Sequence, residues 1–146
     1  MAPSRGATRA RPGLQARRLA LLALFEEEFR PRQAVQALAR MAEERAVTDE
    51  VAEHARSIVA GVAGHRSLID RRIAELAPAI PVSELGRVER AILRSAIYEV
   101  LYSAATPSGE AISDAVSLAR IYAGDAARRF VNGVLGSVSR SSGGGA

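Results

Sequence analysis

Apolar residues recur along the chain at intervals of three and four, and this spacing, interrupted at Pro and Gly, predicts a succession of helices. Arg18, Leu21, Phe25 and Phe29 line one side of a first helix from about Leu14 to Phe29, which Pro31 ends. A second follows to about Arg45. Thr48 is a good N-cap for a third, in which Val51, Ala55, Ile58, Val59 and Val62 keep helical spacing until Gly61 and Gly64 loosen it. Leu68 to Leu76 makes a fourth, closed by Pro78 and Pro81. From Ser83 to about Ser103 the residues Val88, Ile92, Leu93, Ala96, Ile97, Val100 and Leu101 cover most of the circumference, so that helix belongs at the centre. Pro107 and Gly109 break the chain before a helix from Ile112 to Tyr122, and Gly124 with Asp125 caps it and starts a last one to Val138. There is no sustained alternation of the kind a half-buried strand needs, so the fold class is all-α.

The pattern stops at both ends. Residues 1 to 12 are rich in Arg, Ala and Pro, and residues 139 to 146 read Ser-Arg-Ser-Ser-Gly-Gly-Gly-Ala. A flexible basic arm (1–12), one helical domain (13–138) and a flexible Gly/Ser tail (139–146) are therefore expected. With 146 residues, 48% of them hydrophobic and 25% charged, the middle is enough for one soluble domain with a real core. The longest apolar run is the seven residues Leu19 to Phe25, far short of the 18 or so that span a bilayer. It runs straight into Glu26, Glu27 and Glu28 without a small-residue cleavage site, which argues against an export signal although Arg17-Arg18 precedes it. The expected compartment is the cytoplasm, with no membrane association.

Charge placement changes the picture more than its amount. Every one of the 20 basic residues is arginine, and Arg5, Arg9, Arg11, Arg17 and Arg18 share residues 1 to 18 with no acid. The rest of the chain holds 15 arginines against 16 acids, so the formal charge of +4 resides in the arm. A basic arm on a near-neutral body suits a polyanionic partner, and it also serves mere solubility.

Catalytic chemistry has little to build on. The absence of cysteine excludes disulfides, thiolate catalysis and Cys-held metal or iron–sulfur sites. His54 and His65, eleven residues apart, lack metal-protease spacing and read as surface or helix-end residues. Gly61-Val-Ala-Gly64 matches no phosphate-cradling loop and reads as a close helix contact. Nothing marks an activated nucleophile, so neither an enzyme, a metal nor a cofactor is expected. What stands out is a stripe on the central helix, where Arg87, Arg90 and Arg94 share a side with Tyr98 one turn on. Cations beside an aromatic suit phosphates and unstacked bases, and they equally suit the solvated face of a buried helix. On the last helix Phe130 borders the apolar arc of Val131, Val134, Leu135 and Val138, a place ordinarily in the core.

The stretch Glu-Leu-Gly-Arg-Val-Glu-Arg-Ala-Ile-Leu-Arg-Ser-Ala-Ile-Tyr-Glu-Val, Glu84 to Val100, closely resembles the central helix of the NusB family of transcription antitermination factors. Ala-Ile-Ser-Asp-Ala-Val-Ser-Leu-Ala-Arg-Ile-Tyr within Pro107 to Tyr122 is similar to that family's Pro…Ile-Asn-Glu-Ala-Val-Glu-Leu-Ala-Lys block, and Arg129-Phe-Val-Asn-Gly-Val-Leu135 to its Phe-Val-Asn-Gly-Val-Leu signature. Ala16 to Phe25 resembles the family's first helix, so the likeness runs in order over about residues 14 to 138.

The resemblance implies a compact bundle of about seven helices in two packed sub-bundles. It also implies binding of single-stranded boxA-type RNA, chiefly in ribosomal RNA transcripts. The implied partners are the ribosomal protein that doubles as NusE and the antitermination complex on RNA polymerase. Carried over by motif, the RNA-binding residues are Arg17 and Arg18 with Arg9 and Arg11 of the arm, then Phe25, Glu89, Arg94, Arg129 and Phe130. Leu22 and Phe25 stand where the family often has Gln and Tyr, which keeps stacking at Phe25 and removes an amide and a hydroxyl. Some members pair and hide this face, so a homodimer is an alternative free state. The alternative function is a helical protein-interaction module, a divergent NusB with little intrinsic RNA affinity. The version fused to a ribosomal-RNA methyltransferase is not expected, because 146 residues leave no room for its Rossmann-type domain.

Overall fold

The computed structural model describes residues 10–104 and 106–144, and Arg9 with most of the expected arm lies outside them. Six helices form: α1 (Pro12–Glu27), α2 (Ala34–Glu44), α3 (Asp49–Leu76), α4 (Arg87–Tyr102), α5 (Ser108–Ala123) and α6 (Asp125–Gly144), with one 3-10 turn at Val82–Glu84 before α4. The described residues contain no strand. α1, α2 and α3 pack on one another, as do α4, α5 and α6, and the two triplets meet where α4 lies against α1 and α3. This is the two-part bundle expected. Ile92, Leu93, Ala96 and Ile97 of α4 are all at most 3% exposed, so the most apolar helix is the central one, as its pattern requires.

Seven expected helices become six because the third and fourth are one. Gly61 and Gly64 do not stop α3. A mid-helix glycine costs about 1 kcal/mol relative to alanine, too little to break a helix whose Val62, Ile69 and Ile73 are buried on both sides. The helix is kinked, with non-helical angles at His65 (φ −123°, ψ 17°), and the His65 Nδ1–H donates to the Gly61 carbonyl at 2.9 Å. That side-chain bond satisfies an acceptor at the distorted turn. Gly61 is where close approach is needed: a Cβ there would lie 2.1 Å from Cζ of Tyr98 on α4.

Thr48 caps α3 through a 3.2 Å bond from the Val51 amide, and Gly124 ends α5 at a φ of 97°, both as read from sequence. The last helix continues to Gly144, beyond Val138 where the apolar pattern ends, since no proline follows to stop it. At the other end α1 starts at Pro12, a residue suited to the first helical position.

Candidate nucleic-acid interface

The consecutive residues Arg17 and Arg18 point to different sides of α1 because successive helical positions are rotated by about 100°. Arg17 faces inward and is 6% exposed. Its Nε donates to Glu99 Oε1 at 2.8 Å, its Nη2 to Glu99 Oε2 at 3.2 Å, and its Nη1 to Glu110 and Asp114, both at 2.7 Å. Glu99 also meets Nε2 of His54 at 2.9 Å and accepts from the Thr106 hydroxyl at 3.3 Å. Arg11, read as part of a free arm, is tied to the same group through Asp114 and Glu110. Burial works to raise the Glu99 pKa, but hydrogen bonds from His54 and Arg17 and their charge outweigh it and hold the carboxyl below its usual range. Glu110 is also held low, chiefly by its bond from Arg17. Arg17 therefore stitches α1 to α4 and α5. The expectation that it reaches RNA meets this correction: three carboxylates already occupy its donors, and an unpaired buried charge would be costly.

Arg18 lies on the far side and meets no carboxylate among the described residues. Its Nε is shut off from water and finds no acceptor, and the side chain lines a cavity of about 210 Å³ with Ala10, Gln15, Leu19, Arg45 and Val47.

The arginine stripe of α4 is neither a solvated face nor an open cationic ridge. Arg90 is 7% exposed; it pairs with Glu28 and donates to the carbonyls of Val82, Ser83 and Leu85, fastening the segment before α4. Arg94 grips both oxygens of Asp70 on α3 at 2.8 and 2.9 Å and lies 3.5 Å from Glu28, with its side chain 12% exposed. It too is a correction, since a helix packed among α1, α3 and α6 must neutralise the cations it buries. Both arginines form one wall of an open cavity of about 740 Å³ that Glu27, Arg32 and Arg66 also line. Arg87 alone of the stripe is turned out, 4.7 Å over the ring of Phe29. Phe29 is 56% exposed and meets Phe25 edge-on at 5.3 Å. Phe25 is thus half-buried, and Phe29 is its exposed companion. Tyr98 turns to the other side, against Gly61, in a group with His65 and Tyr102 whose rings stack at 4.3 Å.

Glu89, Arg129 and Phe130 come together. Phe130 rests on the core with part of its ring exposed between two clefts. One, of about 300 Å³, is lined by Ile80, Leu85, Gly86 and Glu89; the other, of about 390 Å³, by Leu76, Ala77, Ile80, Arg129 and Val134. Arg129 is 64% exposed and, among the described residues, pairs with Asp125 one turn earlier. Asp125 is held below the usual carboxylate range by its bond from Arg128, with Arg129 adding to the effect. A half-exposed ring between a carboxylate and a guanidinium can stack on a base, accept from its amino edge and meet a phosphate.

No group of three or more His, Asp or Glu converges as a metal set among the described residues. No helix among them is long and apolar enough to cross a membrane. The sequence reading missed Arg45 and Phe29. Arg45 stands at the C-cap of α2 in an unremarkable polar stretch, and only folding brings it beside Arg18. Phe29 was in the helical pattern, but the chain leaves α1 before it, so it escapes burial.

Six helices in two packed triplets, with the cations split between internal staples and a few exposed groups beside open clefts, define an all-helical two-part bundle among the described residues. Residues 14–140 match the NusB family, and the chain belongs to it. It is 36% identical over 127 residues to the transcription antitermination protein NusB of Dehalococcoides mccartyi strain 195, covering 87% of this chain and 89% of that one. With the Symbiobacterium thermophilum protein of the same name the identity is 43% over 134 residues, covering 86% and 88%. The fold superposes on a structure of T. maritima NusB with a TM-score of 0.82 and 28% identity, covering 90% of this chain and 93% of that one. It matches equally, at a TM-score of 0.82 and 28% identity over 91% and 99% of the chains, a structure of antitermination factors NusB and NusE in complex with dsRNA.

Proposed function

We propose that this protein is a transcription antitermination factor that binds boxA-type RNA together with a NusE-type ribosomal protein and promotes ribosomal RNA transcription from within the polymerase complex, in the cytoplasm. The observation that carries the reading is the grouping of Glu89, Arg129 and Phe130 around two open clefts, in a chain of this family. Phe130 stacks a base, Glu89 accepts from an amino edge, and Arg129 meets the backbone by exchanging its exposed pair with Asp125. Phe25 with Phe29, and Arg18 on the far side of α1, extend the surface, and Arg9 of the arm, outside the described residues, adds a backbone contact. Arg17 and Arg94 support it from beneath by holding α1, α3, α4 and α5 in register.

The test is RNA affinity with and without the NusE-type protein, on single-stranded and double-stranded forms of a boxA-type sequence. Affinity is expected to rise markedly with the partner and to favour the single strand. Phe130→Ala, shown to be folded, should lose about 1 to 3 kcal/mol per stacked base. Unchanged affinity in that variant would move the RNA face elsewhere. The second reading, an interaction module with little RNA affinity, is favoured by the internal pairing of Arg17, Arg90 and Arg94. Partner binding with no RNA retained would establish it.

A further inference from the structure

We infer that Arg18 and Arg45 form a phosphodiester site, a sequence-independent contact for one phosphate of the RNA backbone. Both arginines line the cavity of about 210 Å³ between the start of α1 and the turn from α2 to α3, and no acid shares its wall. Neither has an ion pair among the described residues, where Arg17, Arg90 and Arg94 all do. The Arg18 Nε is buried without an acceptor, a state that is costly in a folded protein unless something offsets it. A small rotation of the guanidinium would present Nε and one Nη as a fork, the geometry that takes two oxygens of one phosphate.

Arg45 is held for the same task by its turn. Its amide bonds to the Met41 carbonyl at 3.0 Å, and Ala46 then adopts a φ of 51°, a left-handed conformation unfavourable for a residue with a Cβ. The Val47 amide closes the turn on Ala42 at 3.2 Å, which brings Arg45 and Val47 to the cavity wall. The end of α2 favours a cation there, which places the charge but leaves its donors unspent. Ala10 also lines the cavity, its carbonyl accepting from the Gln15 amide at 2.6 Å.

The proposal rests on the RNA-binding reading for the source of the phosphate, and the test separates the two. Arg45 is exposed, so Arg45→Gln leaves the core intact, and Arg56→Gln, an exposed arginine of α3 paired with Glu53, is the control. Affinity for a boxA-type single strand and for oligouridylate of equal length is measured with the NusE-type protein from low to moderate salt. Arg45→Gln is expected to weaken both RNAs roughly tenfold and to lower the salt slope by about 0.7, while the control changes neither. In parallel, the Arg18 Nε–H resonance of the parent is followed on adding inorganic phosphate and on adding RNA. It should shift with both, and the shift should be lost in Arg45→Gln. RNA binding with an unchanged slope in the variant, or a loss confined to one sequence, overturns the phosphate site while leaving the function standing. A phosphate-induced shift in a parent that retains no RNA keeps the anion site and overturns RNA as its source.

Discussion

Arg17 and Arg18 are neighbours in the chain, yet the first is 6% exposed among Glu99, Glu110 and Asp114, and the second lies beside Arg45 in a cavity with no acid on its wall. Identical side chains one residue apart thus serve opposite ends. Arg17 spends its charge on joining α1 to α4 and α5; Arg18 has no ion pair among the described residues. The teaching is that a cation's exposure and partners decide its work, and its place in a basic segment does not. The same division separates Arg94, clamped on Asp70, from Arg129, exposed with a single pair on its own helix.

The largest effect that would break this comparison is on stability. Arg17→Met removes the cation that Glu99 and Asp114 share and leaves only His54 and Arg11 beside them, and breaking a buried pair in this way costs about 3 to 5 kcal/mol. Urea unfolding should show that loss in Arg17→Met and a much smaller one in Arg18→Met. Equal losses would mean that Arg18 is as structural as its neighbour.

Acid should expose the same contrast. Glu99 and Glu110 have folded pKa values below the ordinary carboxylate range, so the unfolded chain binds their protons first as the pH falls. The stability they add is complete above that ordinary range and is lost as the pH drops through it toward the folded values. The thermal midpoint of the parent should therefore fall on acidification. In Arg17→Met the fall should shrink, because Glu110 loses its chief partner and Glu99 keeps only His54, and an unchanged pH profile would show that Arg17 is not their anchor.

A second pair sharpens the lesson for packing. Gly61→Ala drives a methyl group into the Tyr98 ring, and overpacking of this kind costs about 1 to 3 kcal/mol. Gly64→Ala meets nothing within 4 Å and removes a flexible residue from a helix, so it should gain up to about 1 kcal/mol. Denaturant midpoints of opposite sign would check this. The smallest expected effect is that of Arg45→Gln on folding, within about 0.5 kcal/mol as for other exposed positions. A larger loss by the same measurement would give Arg45 a structural partner and remove the distinction from Arg17.

Much of the fold was legible in the sequence. The apolar spacing, the Thr48 cap, the Gly124 stop and the burial of the Ile92 to Ile97 face all depend on residues close in the chain, and the structure has them. The boundary at Gly61 to Gly64 was misread because whether a glycine breaks a helix depends on what lies across from it, here Tyr98 some 37 residues on. The site was legible only in part. Glu89, Arg129 and Phe130 were named from motifs, and the chain brings them together. Arg17 and Arg94 were named from the same kind of signal, yet they lie inside.

Helical periodicity and caps therefore determined the class of fold on their own, because each arises from contacts within a turn or two, while the family was legible in the resemblance of Glu84 to Val100, Pro107 to Tyr122 and Arg129 to Leu135 to its motifs. Tertiary structure decided which arginines are staples and which are free, because that depends on carboxylates brought from 82 or 97 residues away, as Glu99 and Asp114 are to Arg17. Coulomb energy and desolvation act on distance in space, and a sequence records only distance along the chain.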